Sequence, residues 1–412
     1  MFSAGVRPKG SRRPEDPFGC FGPSTMAPFP PLGFFLADEQ TPMPPGGPRW
    51  SDRIPLGRKP PVYRTFSPIL EAIRYGDYFT AAADFLKDLG AGPLASAAAV
   101  ITGRPEPAEA LRQIRIFLEK HGAFYHPARV ELDFGGRAVS LALNVALTKE
   151  GVRCMRTEVS LLRMLLRRHR RWLPRLFTAA SGKTASGQPF SMFLAEWFDG
   201  FCEFHLAGGG DRTVIWDPTT GPRQADETQR RELYRGIARI WADYYQLETG
   251  ARIHPWHHAA GDFIARTDEK GVELRLITVR GYPATIQREG AGPERILREL
   301  LVAVFDLSLR TRIDRDQGTG DLLWADDGAV EPTLIGVVEA LGDRPAAPGL
   351  ADPPGQMLIE LLAALAEPQL AALAWEAAEN GFFPGSPELA LIGRHLAAHA
   401  GWVGSAAKGL AG

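Results

Sequence analysis

From residue 123 onward, apolar and polar positions alternate with a period of two. Val130, Leu132 and Phe134 are followed, after Gly135-Gly136, by Val139, Leu141, Leu143, Val145 and Leu147. This predicts a β-hairpin closed by a glycine turn. The period then changes to that of a helix over about 153–172, with Val159, Leu162, Leu165 and Leu166 on one face and Arg156, Arg163, Arg167 and Arg170 on the other. Pro174 ends it. Strands are predicted on both sides of the Ser/Gly-rich loop 181–188, and the apolar run 192–198 leads into Asp199-Gly200. Val214-Ile215-Trp216 gives a further strand, 226–248 a long helix, and 263–266 with 272–279 a second hairpin. Beyond Arg295 the pattern is helical throughout, at 295–313, 331–341, 355–378 and 387–399.

Upstream of the first hairpin, Ser67-Pro68 reads as a helix start, because serine caps unpaired N–H groups and proline suits the first helical position. Ile69, Leu70, Ile73, Phe79, Phe85 and Leu86 continue an apolar stripe past a break at Gly76. A second helix is expected after Pro105-Glu106-Pro107, with Leu111, Ile114, Phe117 and Leu118 inward. Residues 1–61 show neither period and hold 14 of the 34 prolines, so they read as a disordered tail. Pro28, Pro30 and Pro31 interrupt its aromatic stretch, which argues against a signal peptide, and the apolar, uncharged run 89–103 is too short to span a membrane. The expected organisation is a tail (1–61), a helical preface (62–121), a β-rich part with one long helix (122–200) and a mainly helical part (201–412), an α+β chain.

Composition narrows the function classes. A formal net charge of -1 supplies no global field toward nucleic acid or anionic membranes. The Arg163, Arg167, Arg168, Arg170 and Arg171 stripe sits at a helix C-terminal end and reads as a solvated face. Cys20, Cys154 and Cys202 are too few for a disulfide framework and fit the cytoplasm. The leucine- and alanine-rich helices over 358–373 are a candidate protein-partner surface.

The most unusual chemistry lies in His254-Pro-Trp-His-His-Ala-Ala-Gly-Asp262-Phe263. Its imidazoles and carboxylate, His254, His257, His258 and Asp262, suit zinc or iron in a metal-dependent hydrolase or oxygenase. In the structural alternative, Trp256 and one histidine pack beneath the loop while Asp262 accepts backbone N–H groups. Alternation also places Glu203 and His205 on one side of a strand.

Taken in order, the hairpin, the helix with Glu158, the strands, the Leu194-Ala-Glu-Trp-Phe-Asp-Gly200 linker, the long helix, the histidine-rich loop and the second hairpin resemble the protein-kinase-like fold. The likeness is greatest to its aminoglycoside-phosphotransferase-like branch, and the Trp-His-His-Ala-Ala-Gly-Asp-Phe element is similar to uncharacterised bacterial proteins. The resemblance implies two lobes, a small antiparallel β N-lobe and an enlarged helical C-lobe, with ATP and Mg²⁺ between them. It assigns nucleotide contacts to Asn144, Glu158 and the linker residues Glu196 and Phe198. It assigns the base or positioning role to His257 and metal binding to Asp262 and His258. Asn144 stands where the family has a phosphate-binding lysine, His257 where it has the catalytic aspartate, Asp262 where it has the metal-binding asparagine and Thr278 where it has the second metal-binding aspartate. A degenerate phosphotransferase that binds a nucleotide or another small phosphorylated ligand is the resulting expectation.

Overall fold

The computed structural model describes residues 28–37, 39–55, 73–122, 124–218, 220–257, 261–286, 292–342, 344 and 352–412. Its organising element is a six-stranded sheet. β1 (Leu32–Leu36) runs parallel to β2 (Gln113–Leu118), and β3 (His126–Asp133), β4 (Ala138–Ala146), β5 (Leu176–Lys183) and β6 (Pro189–Glu196) complete it antiparallel in the order β1-β2-β3-β4-β6-β5. The predicted hairpin is β3–β4, whose turn is tied by Asp133 accepting the N–H groups of Gly135 and Gly136 at 2.9 and 3.1 Å.

Alternation gives this sheet two apolar faces. Leu141, Leu143 and Val145 of β4 and Met192 and Leu194 of β6 pack toward α1 (Tyr75–Leu89) and α2 (Ala91–Thr102). Ala146, Phe193 and Ala195 pack on the other face against α3 (Lys149–Leu166), the predicted amphipathic helix. Thr148 starts α3 by accepting the Gly151 N–H at 3.0 Å. Arg163, Arg167, Arg168, Arg170 and Arg171 are exposed, but α3 ends at Leu166 and not near 172, so the last four lie beyond the helix.

A three-stranded sheet follows, β7 (Glu203–Ala207), β8 (Arg212–Asp217) and β9 (Gly221–Gln224), and then α4 (Glu227–Tyr244), capped by Asp226 and Gln229 acting reciprocally. The second hairpin is β10 (Phe263–Asp268) with β11 (Gly271–Leu276). The rest is α5 (Pro293–Thr311), a short pair β12 (Ile313–Arg315) and β13 (Leu322–Trp324), then α6 (Val330–Gly342), α7 (Pro354–Ala364), α8 (Glu367–Gly381) and α9 (Pro387–Ala411). Here α4 packs on α6, α5 on α8, and α7 and α8 on α9. Among the described residues no helix is long and apolar enough to cross a membrane.

Four expectations need correction. Residues 28–37 and 39–55 of the expected tail do contribute to the core: β1 joins the sheet, and Phe34, Met43 and Ile54 are buried with α1. Five residues of β1 need no long periodic signal, because β2 supplies the ladder. The helix expected at 111–118 is strand β2, in which Ile114, Ile116 and Leu118 are buried alternately. Five apolar positions in eight residues fit either period, and pairing to β1 and β3 decides between them. Helix 355–378 is two helices parted at Leu365-Ala366, with Pro368 in the first turn of the second. Finally, Leu358, Leu362 and Leu370 of the expected partner surface are buried in the chain's own core, whereas Trp375, Phe383 and Trp402 are exposed. The Ser67-Pro68 start lies outside the described residues.

Candidate functional site

Three segments meet beside α3. Glu158 lies on its buried face and accepts the Val279 N–H at 2.8 Å and the Tyr125 hydroxyl at 2.8 Å. Val279 belongs to the segment just after β11, and Tyr125 to the connection between β2 and β3. Burial, only partly offset by these donors, pushes the Glu158 carboxyl up to about 7. Burial and Glu158 together push the Tyr125 phenol well above its ordinary range, so it acts as a donor.

Asp262 comes from the loop between α4 and β10. Its two carboxylate oxygens are taken by the two terminal nitrogens of Arg280, the Nη2 bond to Oδ1 measuring 2.6 Å, and Oδ2 also accepts the His257 N–H at 2.8 Å. Burial opposes the charge on Arg280, but Asp262 outweighs it and raises the guanidinium above its usual value. The Asp262 carbonyl accepts the Ile277 N–H at 2.9 Å. The segment 277–280 is thus stitched to Glu158 on one side and to Asp262 on the other, and Thr278 sits between the two stitches.

His257 therefore contributes a backbone donor here. Burial, with the Arg310 and Arg280 guanidiniums, pushes its imidazole down to about 3, which leaves it uncharged and a weak base at neutral pH. His254 is drawn to α5, where its Nδ1 lies 3.4 Å from the buried Asp306. Arg310 fastens the same loop, bonding Asp306 at 2.9 Å and the Trp256 carbonyl at 3.3 Å. Trp256 is buried beneath the loop, as in the structural alternative. His258 lies outside the described residues. Among those described, no three His, Cys, Asp or Glu side chains are placed to hold a metal.

The residues expected to contact a nucleotide divide. Asn144 pairs with Phe193 across β4 and β6 and so shares the sheet face that carries α3. Glu196 is used within the sheet edge: its N–H donates to the Arg175 carbonyl at 2.9 Å and its carboxylate accepts the Arg175 N–H at 3.2 Å. The Phe198 carbonyl accepts the Phe201 N–H at 3.2 Å, and both rings lie under Arg275. Two linker groups expected to face a base are thus engaged locally.

A second polar cluster adjoins the first. Glu203 and His205 of β7 do share a side, with 3.3 Å between Oε2 and the ring Nε2, and the ring Nδ1 lies 3.3 Å from the fully buried Asp314 of β12. Asp314 also accepts the N–H groups of Leu206 and Arg315 at 2.9 and 2.7 Å. Burial alone lowers a histidine, yet Asp314 and Glu203 prevail and raise His205. Glu203 is desolvated too, but His205 and Lys120 hold its carboxyl down at about 2. Gly261, at positive φ, lets this carboxylate approach the Asp262 loop: a Cβ there would lie 2.6 Å from Glu203 Cδ. Lys120, on the β2–β3 connection that also carries Tyr125, pairs with Glu203.

Sequence reasoning missed Arg280, Tyr125, Lys120 and Asp314. The connection that reaches α3 is 119–125, where the Phe124 carbonyl lies so close to Gly151 that any Cβ would strike it. A lysine, a glycine and a tyrosine between two strands were the available signal. Two pockets lie away from this site, one lined by Phe29, Leu32, Phe34, Trp50 and Lys87, the other between α4 and β11.

No protein-family model matches the chain, and no curated protein matches it. Among solved structures it is similar to WaaP in complex with acyl carrier protein, with 14% identity and a TM-score of 0.31, over 65% of this chain and 89% of that chain. Nothing about ligand or partner passes from that structure to this chain.

Proposed function

We propose that this chain is a two-lobed, kinase-like binding protein for a nucleotide or a similar small phosphorylated ligand, and that it has lost ordinary phosphoryl transfer. One observation carries the reading: Glu158 from α3, Asp262 from the loop after α4, and the segment 277–280 after the second hairpin converge beneath the β2–β3 connection. Asn144, on the sheet face that carries α3, is a neutral hydrogen-bonding group. Loss of transfer follows from the chemistry of the replacements. Asn144 brings no charge, the His257 imidazole is too weak a base, and Thr278 offers a hydroxyl in place of a second carboxylate.

Mg²⁺ does not fit the described residues. Asp262 has both oxygens engaged by Arg280, and Glu158 is occupied by two donors. The metal-hydrolase alternative finds no support either, since His254 is paired with Asp306 and Asp262 with Arg280.

Thermal denaturation with ATP, ADP and phosphorylated sugars, alongside a γ-phosphate transfer and hydrolysis assay, tests the proposal. A saturable rise in melting temperature without turnover is expected. Absence of any shift at millimolar ligand rejects it, and transfer that depends on Asp262 rejects the loss of activity.

A further inference from the structure

We infer that Arg280 fills the charge role of a divalent cation in this site, so that a phosphate-bearing ligand is taken up as the free polyanion and not as a metal chelate. The ligand half of this inference rests on the proposed function. The metal half stands on Asp262 alone.

Asp262 is the carboxylate that a metal would require, and its side chain is only 1% exposed. The guanidinium lies across both of its oxygens, while the His257 N–H fills a further acceptor position. A divalent ion would have to displace an arginine that cannot lose its proton and then assemble several more oxygen ligands. Nearby, Glu158 is held by a backbone and a phenolic donor, and Thr278 replaces a carboxylate.

Arg280 itself is not sealed. Its side chain is 29% exposed, and the pairing with Asp262 uses two of the five N–H groups of a guanidinium. The same fork that grips a carboxylate matches phosphate geometry. An anion arriving here meets a fixed positive charge whose counter-charge is buried behind it. Chelation by Mg²⁺ removes two negative charges from a nucleotide or pyrophosphate and so weakens the attraction to that charge.

The experiment uses the full chain in two arms. Mn²⁺ binding is titrated by electron paramagnetic resonance in wild type, Asp262→Asn, Arg280→Gln and Arg280→Gln with Asp262→Asn. Pyrophosphate and ATP binding is measured by calorimetry in EDTA and in millimolar Mg²⁺. We expect no stoichiometric Mn²⁺ site in wild type, a site gained in Arg280→Gln, and its loss when Asp262→Asn is added. Polyanion binding in EDTA should equal or exceed that in Mg²⁺ and fall about tenfold or more in Arg280→Gln.

One Mn²⁺ per wild-type chain that Asp262→Asn abolishes would overturn the metal half, and binding that requires Mg²⁺ would overturn the ligand half. If no polyanion binds under either condition, the proposed function fails and the ligand half with it, while the Mn²⁺ titration still decides the metal half. Should Arg280→Gln not fold, Arg280→Lys keeps the charge without the fork. It should gain no Mn²⁺ site yet bind pyrophosphate more weakly, and equal binding would refute the bidentate role.

Discussion

The two adjoining polar clusters are held together by different cations. In one, Arg280 joins Asp262 while Glu158 takes neutral donors from Val279 and Tyr125. In the other, His205 lies between Asp314 and Glu203, and Lys120 extends the chain of charges outward. The guanidinium keeps its charge at any pH at which the protein folds, whereas the imidazole bridges two carboxylates only while it carries a proton. The first cluster is therefore a permanent fastening between the second hairpin and its loop. The second is a conditional one, between β7 and β12.

The largest effect expected from breaking this comparison is at Arg280. Arg280→Ala leaves the buried Asp262 without its cation and should lower unfolding free energy by about 3–5 kcal/mol in urea titrations. A loss below about 1 kcal/mol would mean that solvent already satisfies Asp262.

The next effect separates the two carboxylates of the first cluster. Glu158 binds its proton more tightly folded, at about 7, than at its ordinary 4.5. The stability linked to that proton is complete below 4.5 and is lost as pH rises through about 7. Glu158→Gln, which mimics the neutral form, should gain roughly 3 kcal/mol on wild type between pH 4 and 8. Parallel urea midpoints for both proteins across that range would refute the assignment.

The smallest effect sharpens the second cluster. His205 is raised above its ordinary 6.5, so its contribution is complete below that value and is lost as pH rises through its folded value. His205→Gln should cost about 1–3 kcal/mol at pH 6 and progressively less in alkaline solution. A cost independent of pH would show that the ring acts by packing alone. Titration of the His205 ring by NMR provides the direct reading.

The same contrast shows what could be read from residues in a row. The β3–β4 hairpin, α3, α4 and the β10–β11 hairpin were legible because each carries its own period, although the Thr148 cap that starts α3 at Lys149 and the Asp226-Gln229 box of α4 were not picked out. Strand β2 was not, since its apolar positions fit two periods and its partners are remote in sequence. Within the site, Glu158 and Asp262 stood out as carboxylates at expected offsets. Arg280 did not, because an arginine two residues past Thr278 becomes meaningful only when the hairpin folds it back onto Asp262, 18 positions earlier. Asp314 lies 109 positions from His205, and no local pattern connects them.

The elements that carry a clear period of their own thus belonged to the sequence by itself, since alternation and helical stripes act over a few neighbouring residues, whereas β1, β2 and the β12–β13 pair did not. It also determined which groups were missing for ordinary phosphoryl transfer, because residue identity fixes charge and basicity before folding. Only the tertiary structure decided what each remaining charge does. A carboxylate such as Asp262 can serve a metal, a backbone or a cation; it serves the His257 N–H and Arg280, because the second hairpin brought a guanidinium to a carboxylate that burial had stripped of water.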